Sequence, residues 1–345
     1  MPRIALVGLG RIGKLLLRDF RARGNLEHVV LLADAVGDAA MHAHLLEFDS
    51  VHGRWEADVG AAVVGETGGA GAVTVDGHRI DYRCAGDVDA LPLAELDVDL
   101  VVDCTGARRT AEALAPYLDA GAGRVVVSAP VKSADVVNLV YGVNHDVFDP
   151  AVHRIVTAAS CTTNCLAPVV KVLHEGIGIR HGSITTIHDV TNTQTIVDRP
   201  AKDPRRARSA INSLVPTSTG SATAIGLIFP ELAGRLDGHA VRVPLLNASL
   251  TDGVFEMRRE TTAEEVNALF EAAANGPLEG ILGHETRPLV SADYVNDPRS
   301  AIVDAPSTMV VGGTQVKVYA WYDNEWGYAC RLGDVVRLVA QAGPR

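Results

Sequence analysis

The stretch Ala158-Ala-Ser-Cys161-Thr-Thr-Asn-Cys165-Leu-Ala-Pro168 contains the residue best suited to covalent chemistry. Small polar residues precede an apolar helical pattern over 166–173, so the spacing predicts a helix that opens near Cys161. The helix dipole and free N–H groups at such a start favour a thiolate. Cys165 falls one turn below on the same face. Cys84, Cys104 and Cys330 read as structural thiols; Cys161, set among Ser and Thr, does not. A thiolate needs a base. Of twelve histidines, His188 ends the apolar run Ser183-Ile-Thr-Thr-Ile-His188 and opens into a long, polar, basic loop over 191–208. Long ordered loops in compact domains are usually functional.

A second constellation lies near the N-terminus: Gly8-Leu9-Gly10-Arg11-Ile12-Gly13 follows an apolar strand and opens a helix. The first glycine permits a tight turn, the second a close approach of pyrophosphate to the backbone, and the third close helix–strand packing. Free N–H groups at the helix start would face a diphosphate. Asp34, about twenty residues on at the end of the second strand, suits a ribose diol. Its charge disfavours a 2′-phosphate, so NAD is expected rather than NADP.

These residues need a scaffold. Apolar runs at 4–7, 29–33, 100–103 and 124–128 read as buried strands, with helices over 13–23 and 110–120 between them. That alternation predicts an α/β fold with a Rossmann-type doubly wound, mostly parallel sheet. From about residue 184 the texture changes, and 183–188, 240–243, 249–258 and 315–322 alternate like strands facing a core on one side. An α+β catalytic domain with a mixed or antiparallel sheet is expected, spanning 161–323. The first domain, 1–160, would be rejoined by the C-terminal helix around 334–341, within 324–345. The glycine-rich segment 56–75, with Gly65, Gly68, Gly69 and Gly71, reads as a flexible hairpin excursion.

Composition narrows the class. With 345 residues, 47% hydrophobic, the chain can bury two cores. A net charge of −11 argues against nucleic acid as the partner. No apolar run approaches the ~20 residues of a membrane span, and no secretory signal is read, so a cytoplasmic protein is expected. The five cysteines lack metal-type spacing, and no metal is expected.

Together, Ser160-Cys161-Thr-Thr-Asn-Cys165, Thr191-Asn192, Arg205-Arg206-Ala-Arg208, the 216–220 segment and Trp321-Tyr-Asp-Asn324-Glu-Trp-Gly-Tyr328 resemble the phosphorylating glyceraldehyde-3-phosphate dehydrogenase family over essentially the whole chain. The resemblance implies oxidation of D-glyceraldehyde 3-phosphate with NAD. Cys161 would attack the aldehyde, His188 would serve as base, and phosphate would release an acyl phosphate from a thioester. The Cys161 N–H and the His188 imidazole would steady the oxyanion. Thr191 and Arg242 would hold the substrate phosphate. Ser160, Thr162, Arg206, Thr219 and Gly220 would receive the attacking phosphate. Asn324 would fix the nicotinamide carboxamide with Tyr328 nearby, while Thr105, Gly106 and Ser128 would line the cofactor crevice. A homotetramer is implied as well.

Several positions depart from the family pattern. Val7, Leu9 and Ala33 replace the usual Asn, Phe and Asn; Asp189-Val190 replaces the common Ala-Tyr; Thr193 replaces Asp. Arg199 stands where Leu is usual near the adenosine ribose of a neighbouring subunit, a cation that would tolerate NADP. The runs over 178–194 and 247–252 resemble the branch associated with bacterial arsenic resistance and an arsenical exporter. In that branch arsenate replaces phosphate and gives 1-arseno-3-phosphoglycerate. Two alternatives stay open. An erythrose-4-phosphate dehydrogenase would share the thiol chemistry, and a non-catalytic NAD-binding redox sensor would use Cys161 as an oxidation switch.

Overall fold

Ile4–Val7, apolar and buried at every position, forms strand β1, as expected of a parallel strand covered on both faces. In the computed structural model, which describes residues 2–64, 69–133 and 135–343, it lies in the first of two units. Unit 1 comprises Met1–Leu139, His145–Ala159 and Ala329–Arg345; unit 2 comprises Val140–Asn144 and Ser160–Tyr328.

Unit 1 continues with α1 (Arg11–Ala22), β2 (Val29–Asp34), α2 (Ala39–Glu47), β3 (Val59–Val64), β4 (Ala70–Val75), β5 (His78–Cys84), β6 (Leu100–Asp103), α3 (Ala111–Asp119), β7 (Arg124–Val127), β8 (Val137–Asn138) and β9 (Ile155–Thr157). Among the described residues these strands form one sheet in the order β3-β4-β5-β2-β1-β6-β7-β9-β8. Pairing is parallel from β5 to β8, and the strand order reverses between β1 and β6, the switch point at which doubly wound sheets bind their ligands. The segment 56–75 pairs β3 with β4 and so extends the sheet edge, its Val59 opposite Val75. Gly65 and Gly68 of that reading lie outside the described residues. Tyr117 and Leu114 of α3 pack with Val101, Val125 and Val127 in the core.

Unit 2 holds α4 (Cys161–Gly176), β10 (Ile179–His188), β11 (Val215–Ser218), α5 (Ser221–Ile228), β12 (Leu236–Arg242), β13 (Ser249–Met257), α6 (Ala263–Ala274), β14 (Leu282–Glu285), β15 (Ala301–Asp304), β16 (Met309–Val311) and β17 (Gln315–Tyr322). Its sheet runs β11-β12-β10-β13-β17-β15-β14, with β16 paired to β17. Buried and half-buried residues alternate strictly along β13, the pattern of a sheet with one face on the core. The sheet is mixed: β10 pairs parallel with β12 and β14 with β15, while the remaining pairs are antiparallel.

The last helix, α7 (Trp326–Gln341), starts in unit 2 and from Ala329 onward belongs to unit 1. There Leu332, Val335, Val336 and Val339 are buried. Arg337 and Arg23 bridge Asp19 of α1 to Asp334 of α7. Gly333 lets the two helices approach closely, since an added Cβ would come within 2.2 Å of Asp19 Oδ2. No helix among the described residues is long and apolar enough to cross a membrane.

Candidate active site

Ser160 caps α4: its backbone is extended and its Oγ accepts from Thr163 N at 3.1 Å. Cys161 is therefore the first helical residue, where unpaired N–H groups and the dipole favour negative charge. Ala159, just ahead, has φ +54°, a conformation uncommon for a residue with a side chain; the preceding sequence gave no sign of it. Thr162 points its Oγ1 at Tyr322 Oη, 2.9 Å away, and the same hydroxyl reaches Thr186 Oγ1 at 2.8 Å. Cys165 is buried against Thr251 and Ala320, and burial pushes its thiol up to about 12.

Cys161 Sγ lies 3.7 Å from His188 Nε2. Burial alone would raise the Cys161 pKa, but its hydrogen bond to His188 and the imidazole charge lower it on balance. Burial likewise works against a protonated His188, yet the Asp189 carboxylate and the Cys161 sulfur overcome it and hold the imidazole at about 9. Each partner thus favours the charged form of the other, which shifts the pair toward a thiolate and an imidazolium. Tyr322 presents its ring edge-on to His188.

Beyond the imidazole, Asp189 is fully buried, with Oδ1 2.7 Å from His188 Nδ1. Asn324 Nδ2 donates to Asp189 Oδ2 at 2.8 Å, and Ser249 Oγ lies 3.0 Å from Asn324 Oδ1. Tyr328, in the first turn of α7, is buried.

Two cationic side chains come from the end of β12 and from the loop that precedes β11. Arg242 Nη1 donates to the Asp189 carbonyl at 2.9 Å, while its Nε is buried without a partner among the described residues. Burial lowers the Arg242 pKa, and the charge of Arg206 lowers it further. Arg206 Nε donates to Thr217 Oγ1 on β11 at 3.0 Å. Thr219 and Gly220 lead into α5, Gly220 as its N-cap with open space around it. Thr191 gives its N–H and hydroxyl to Gln194 Oε1 at 2.8 and 3.0 Å, leaving Gln194 Nε2 buried and unpartnered among the described residues. One cation, Arg242, and one neutral amide, Gln194, keep an unused buried donor, and with the charge of Arg206 they suit the dianionic oxygens of a phosphate group.

In unit 1, Gly8 has φ +94°, and an added Cβ would meet Thr105 N at 2.5 Å. At Gly13 it would strike Gly8 O at 2.0 Å, which is how α1 packs onto the turn, whereas Gly10, the N-cap, faces open space. The turn fits a diphosphate by this criterion: closed beneath, open above. Asp34 Oδ2 accepts from Leu9 N at 2.6 Å and so braces the turn, an anchoring contact that the spacing did not reveal. Arg11 is paired with Asp49 at 2.5 Å, and Ile12 follows in the first turn of α1. Thr105, whose hydroxyl bonds Asp103, and Gly106 follow β6; Ser128 follows β7.

Two family profiles match the chain. One is described as the glyceraldehyde 3-phosphate dehydrogenase NAD binding domain, over residues 2–111, and the other as the C-terminal domain of the same enzyme, over 160–324. A glyceraldehyde-3-phosphate dehydrogenase 3 of Nostoc is 56% identical over 339 residues, 98% of each chain. The chain belongs to the glyceraldehyde-3-phosphate dehydrogenase family. Glyceraldehyde-3-phosphate dehydrogenases of Geobacillus stearothermophilus and Pseudomonas aeruginosa are each 46% identical over 341 residues, 99% of this chain and 99% and 98% of theirs. The protein is accordingly an NAD-dependent oxidoreductase acting on an aldehyde, with glyceraldehyde 3-phosphate as the family's substrate. The doubly wound first domain and the second, mixed α/β domain are the family's two domains.

Sequence reasoning assigned no role to Asp189, Ser249, Gln194 or Tyr322. Asp189 carried a signal, as a departure from the family's usual Ala; Gln194, Ser249 and Tyr322 lay inside runs that carried the resemblance, with no role of their own.

Proposed function

We propose that Cys161 and His188 carry the oxidation of glyceraldehyde 3-phosphate through a covalent thioester, with NAD bound by unit 1 and the chemistry housed in unit 2. The observation that supports this most is the Sγ–Nε2 approach of 3.7 Å at a capped helix start, beside an imidazole held protonated.

The thiolate of Cys161 attacks the aldehyde carbon, forming the C–S bond while the carbonyl electron pair moves onto oxygen. His188 gives its Nε2 proton to that oxygen, and the hemithioacetal results. His188 then takes the hydroxyl proton back as the carbon is oxidised to a thioester. NAD, when bound, supplies the hydride acceptor for that oxidation. Gly8, Gly10, Arg11, Ile12, Gly13, Asp34, Thr105, Gly106 and Ser128 would hold it. The protonated imidazole and the Cys161 N–H face the developing oxyanion. Thr191 and Arg242 grip the phosphate of the substrate. Arg206, Thr219, Gly220, Ser160 and Thr162 receive the second anion, whose oxygen attacks the thioester carbon; the C–S bond breaks, Cys161 leaves as the thiolate and the acyl group is released as a mixed anhydride with the anion.

That second anion is phosphate or arsenate. The runs over 178–194 and 247–252 support the arsenate-using branch, in which the product is 1-arseno-3-phosphoglycerate. A cytoplasmic homotetramer accords with the family resemblance. It also accords with Ile196, Val197, Ile211 and Leu214, which expose 64–72% of their surface around the basic loop and need covering.

NADH formation from glyceraldehyde 3-phosphate at varied phosphate and arsenate concentrations tests the whole reading. The thioester mechanism requires turnover with at least one anion and its loss in Cys161→Ser. The arsenic-resistance branch further requires arsenate efficiency comparable to that of phosphate, and it fails if phosphate is used far better. Light scattering on the purified protein tests the tetramer.

A further inference from the structure

The position that departs from the family next to His188 is buried at the centre of a hydrogen-bonded cluster. Asp189 has no exposed surface, yet it is a carboxylate, and a buried carboxylate must be met by donors. Three groups meet it. His188 Nδ1 lies 2.7 Å from Oδ1, Asn324 Nδ2 donates to Oδ2 at 2.8 Å, and Ser249 Oγ lies 3.3 Å from Oδ1. Its own N–H donates to Ser249 Oγ at 3.1 Å, so the backbone is pinned as well.

We infer that Asp189 is a positioning residue that completes a Cys161–His188–Asp189 series, fixes the His188 proton on Nδ1, and ties that imidazole to Asn324. The inference rests on the proposed roles of Cys161 and His188.

Two contacts compete with the carboxylate for Nδ1: the Asp189 carbonyl, an acceptor it shares with Arg242 Nη1, lies 2.9 Å from it, and Arg242 itself argues the other way. Arg242 Nη1 lies 2.6 Å from the same Nδ1, and a guanidinium can only donate. Both cannot use Nδ1 at once. The chemistry favours Asp189, because Arg242 Nη1 keeps the Asp189 carbonyl as its acceptor, 2.9 Å away. Without the Nδ1 proton, Oδ1 would face a lone pair and retain only the longer Ser249 contact. With Nδ1 protonated, Nε2 is the one nitrogen that exchanges a proton with the substrate oxygen, and the proton of Nδ1 never moves. The groups facing His188 are Cys161 from α4, Arg242 from β12, Tyr322 from β17 and Asp189 itself; Glu325 adds a negative charge behind Asp189. Arg242 opposes the imidazolium, and Asp189 and the Cys161 sulfur support it.

The test uses the full-length protein and iodoacetamide. The Cys161 alkylation rate should rise in two steps with pH, first as the thiolate–imidazolium pair forms and again as the imidazolium deprotonates. Asp189→Asn should move the second step down by about one pH unit or more and lower kcat by about tenfold or more, with little change in the KM for glyceraldehyde 3-phosphate. An unmoved second step in a folded Asp189→Asn overturns the inference. His188→Asn separates the two levels. If it too leaves the profile unchanged, the Cys161–His188 reading itself fails; if it abolishes the second step while Asp189→Asn does not, only the role of Asp189 fails. Should Asp189→Asn not fold, nitrogen-edited NMR of the wild type decides. The inference requires a far-downfield His188 Nδ1–H that persists toward pH 9, the value to which the imidazole is raised. A bare Nδ1 at neutral pH refutes it.

Discussion

His188 and Arg242 are register partners at the last positions of two neighbouring parallel strands, β10 and β12. That pairing sets the base beside a cation on the same end of the sheet, and β11 brings Val215 alongside Arg242 in turn. Arg242 donates to the Asp189 carbonyl, which keeps it in place, and its Nε is buried without a partner among the described residues, the donor that the proposed function would give to an anion.

Arg242→Ala should raise the KM for glyceraldehyde 3-phosphate by roughly 10- to 100-fold, the usual worth of a hydrogen bond to a charged group. Steady-state kinetics with the other substrates saturating reads it. An unchanged KM would place the substrate phosphate elsewhere.

Arg206→Ala acts on the other anion. Its guanidinium is steadied by Thr217 rather than by His188. The KM for phosphate and for arsenate should rise by similar factors, about tenfold or more, while that for glyceraldehyde 3-phosphate changes little. Unequal factors would mean that the two anions do not share a socket.

The thiol chemistry has a defined pH window. Cys161 is depressed and His188 is held at about 9, so the ion pair exists between the two. Below the window the sulfur regains its proton and attack on the aldehyde slows; above it the imidazole can no longer protonate the oxyanion. At neutral pH iodoacetamide should label Cys161 well before Cys104, Cys165 or Cys330, whose thiols burial pushes up to about 12. Peptide mapping at full inactivation checks the order, and label on Cys330 with Cys161 free would be incompatible with it.

Cofactor choice should follow Asp34. A carboxylate at the end of β2 repels a 2′-phosphate, so kcat/KM should favour NAD. Asp34→Asn removes the charge but keeps an oxygen for the Leu9 N–H, and should relax the preference without collapsing the turn. Arg199→Leu should lower any NADP use. Equal kcat/KM for the two cofactors in the wild type would contradict this account.

Strands β1, β6, β13 and β17 were legible because burial on both faces, or on one, leaves an unbroken or alternating apolar pattern. The start of β12 was not, since Asp237, Gly238 and His239 interrupt that pattern although they pair in register with β10. Cys161 and His188 could be read from the sequence because a helix start and a strand end each leave local signals. The Asp189 cluster could not. Alternation places successive strand residues on opposite faces, and only because the chain leaves β10 after His188 does the Asp189 carboxylate turn back to Nδ1. Ser249 and Asn324 arrive from distant segments, and the patterns that mark those segments do not say that the two side chains meet Asp189.

Unit 1 begins with the first residues of the chain but takes its final helix from the last ones. Asp19 of α1 has its partner Arg337 318 positions downstream, and the buried Leu332, Val335 and Val339 are later than every residue of unit 2. A ribosome building this stretch therefore exposes the sheet of unit 1 before the helix that packs on α1 is translated, while unit 2 can acquire all its described strands first. Of the two units, the one whose strands come earlier in the chain is the one completed later.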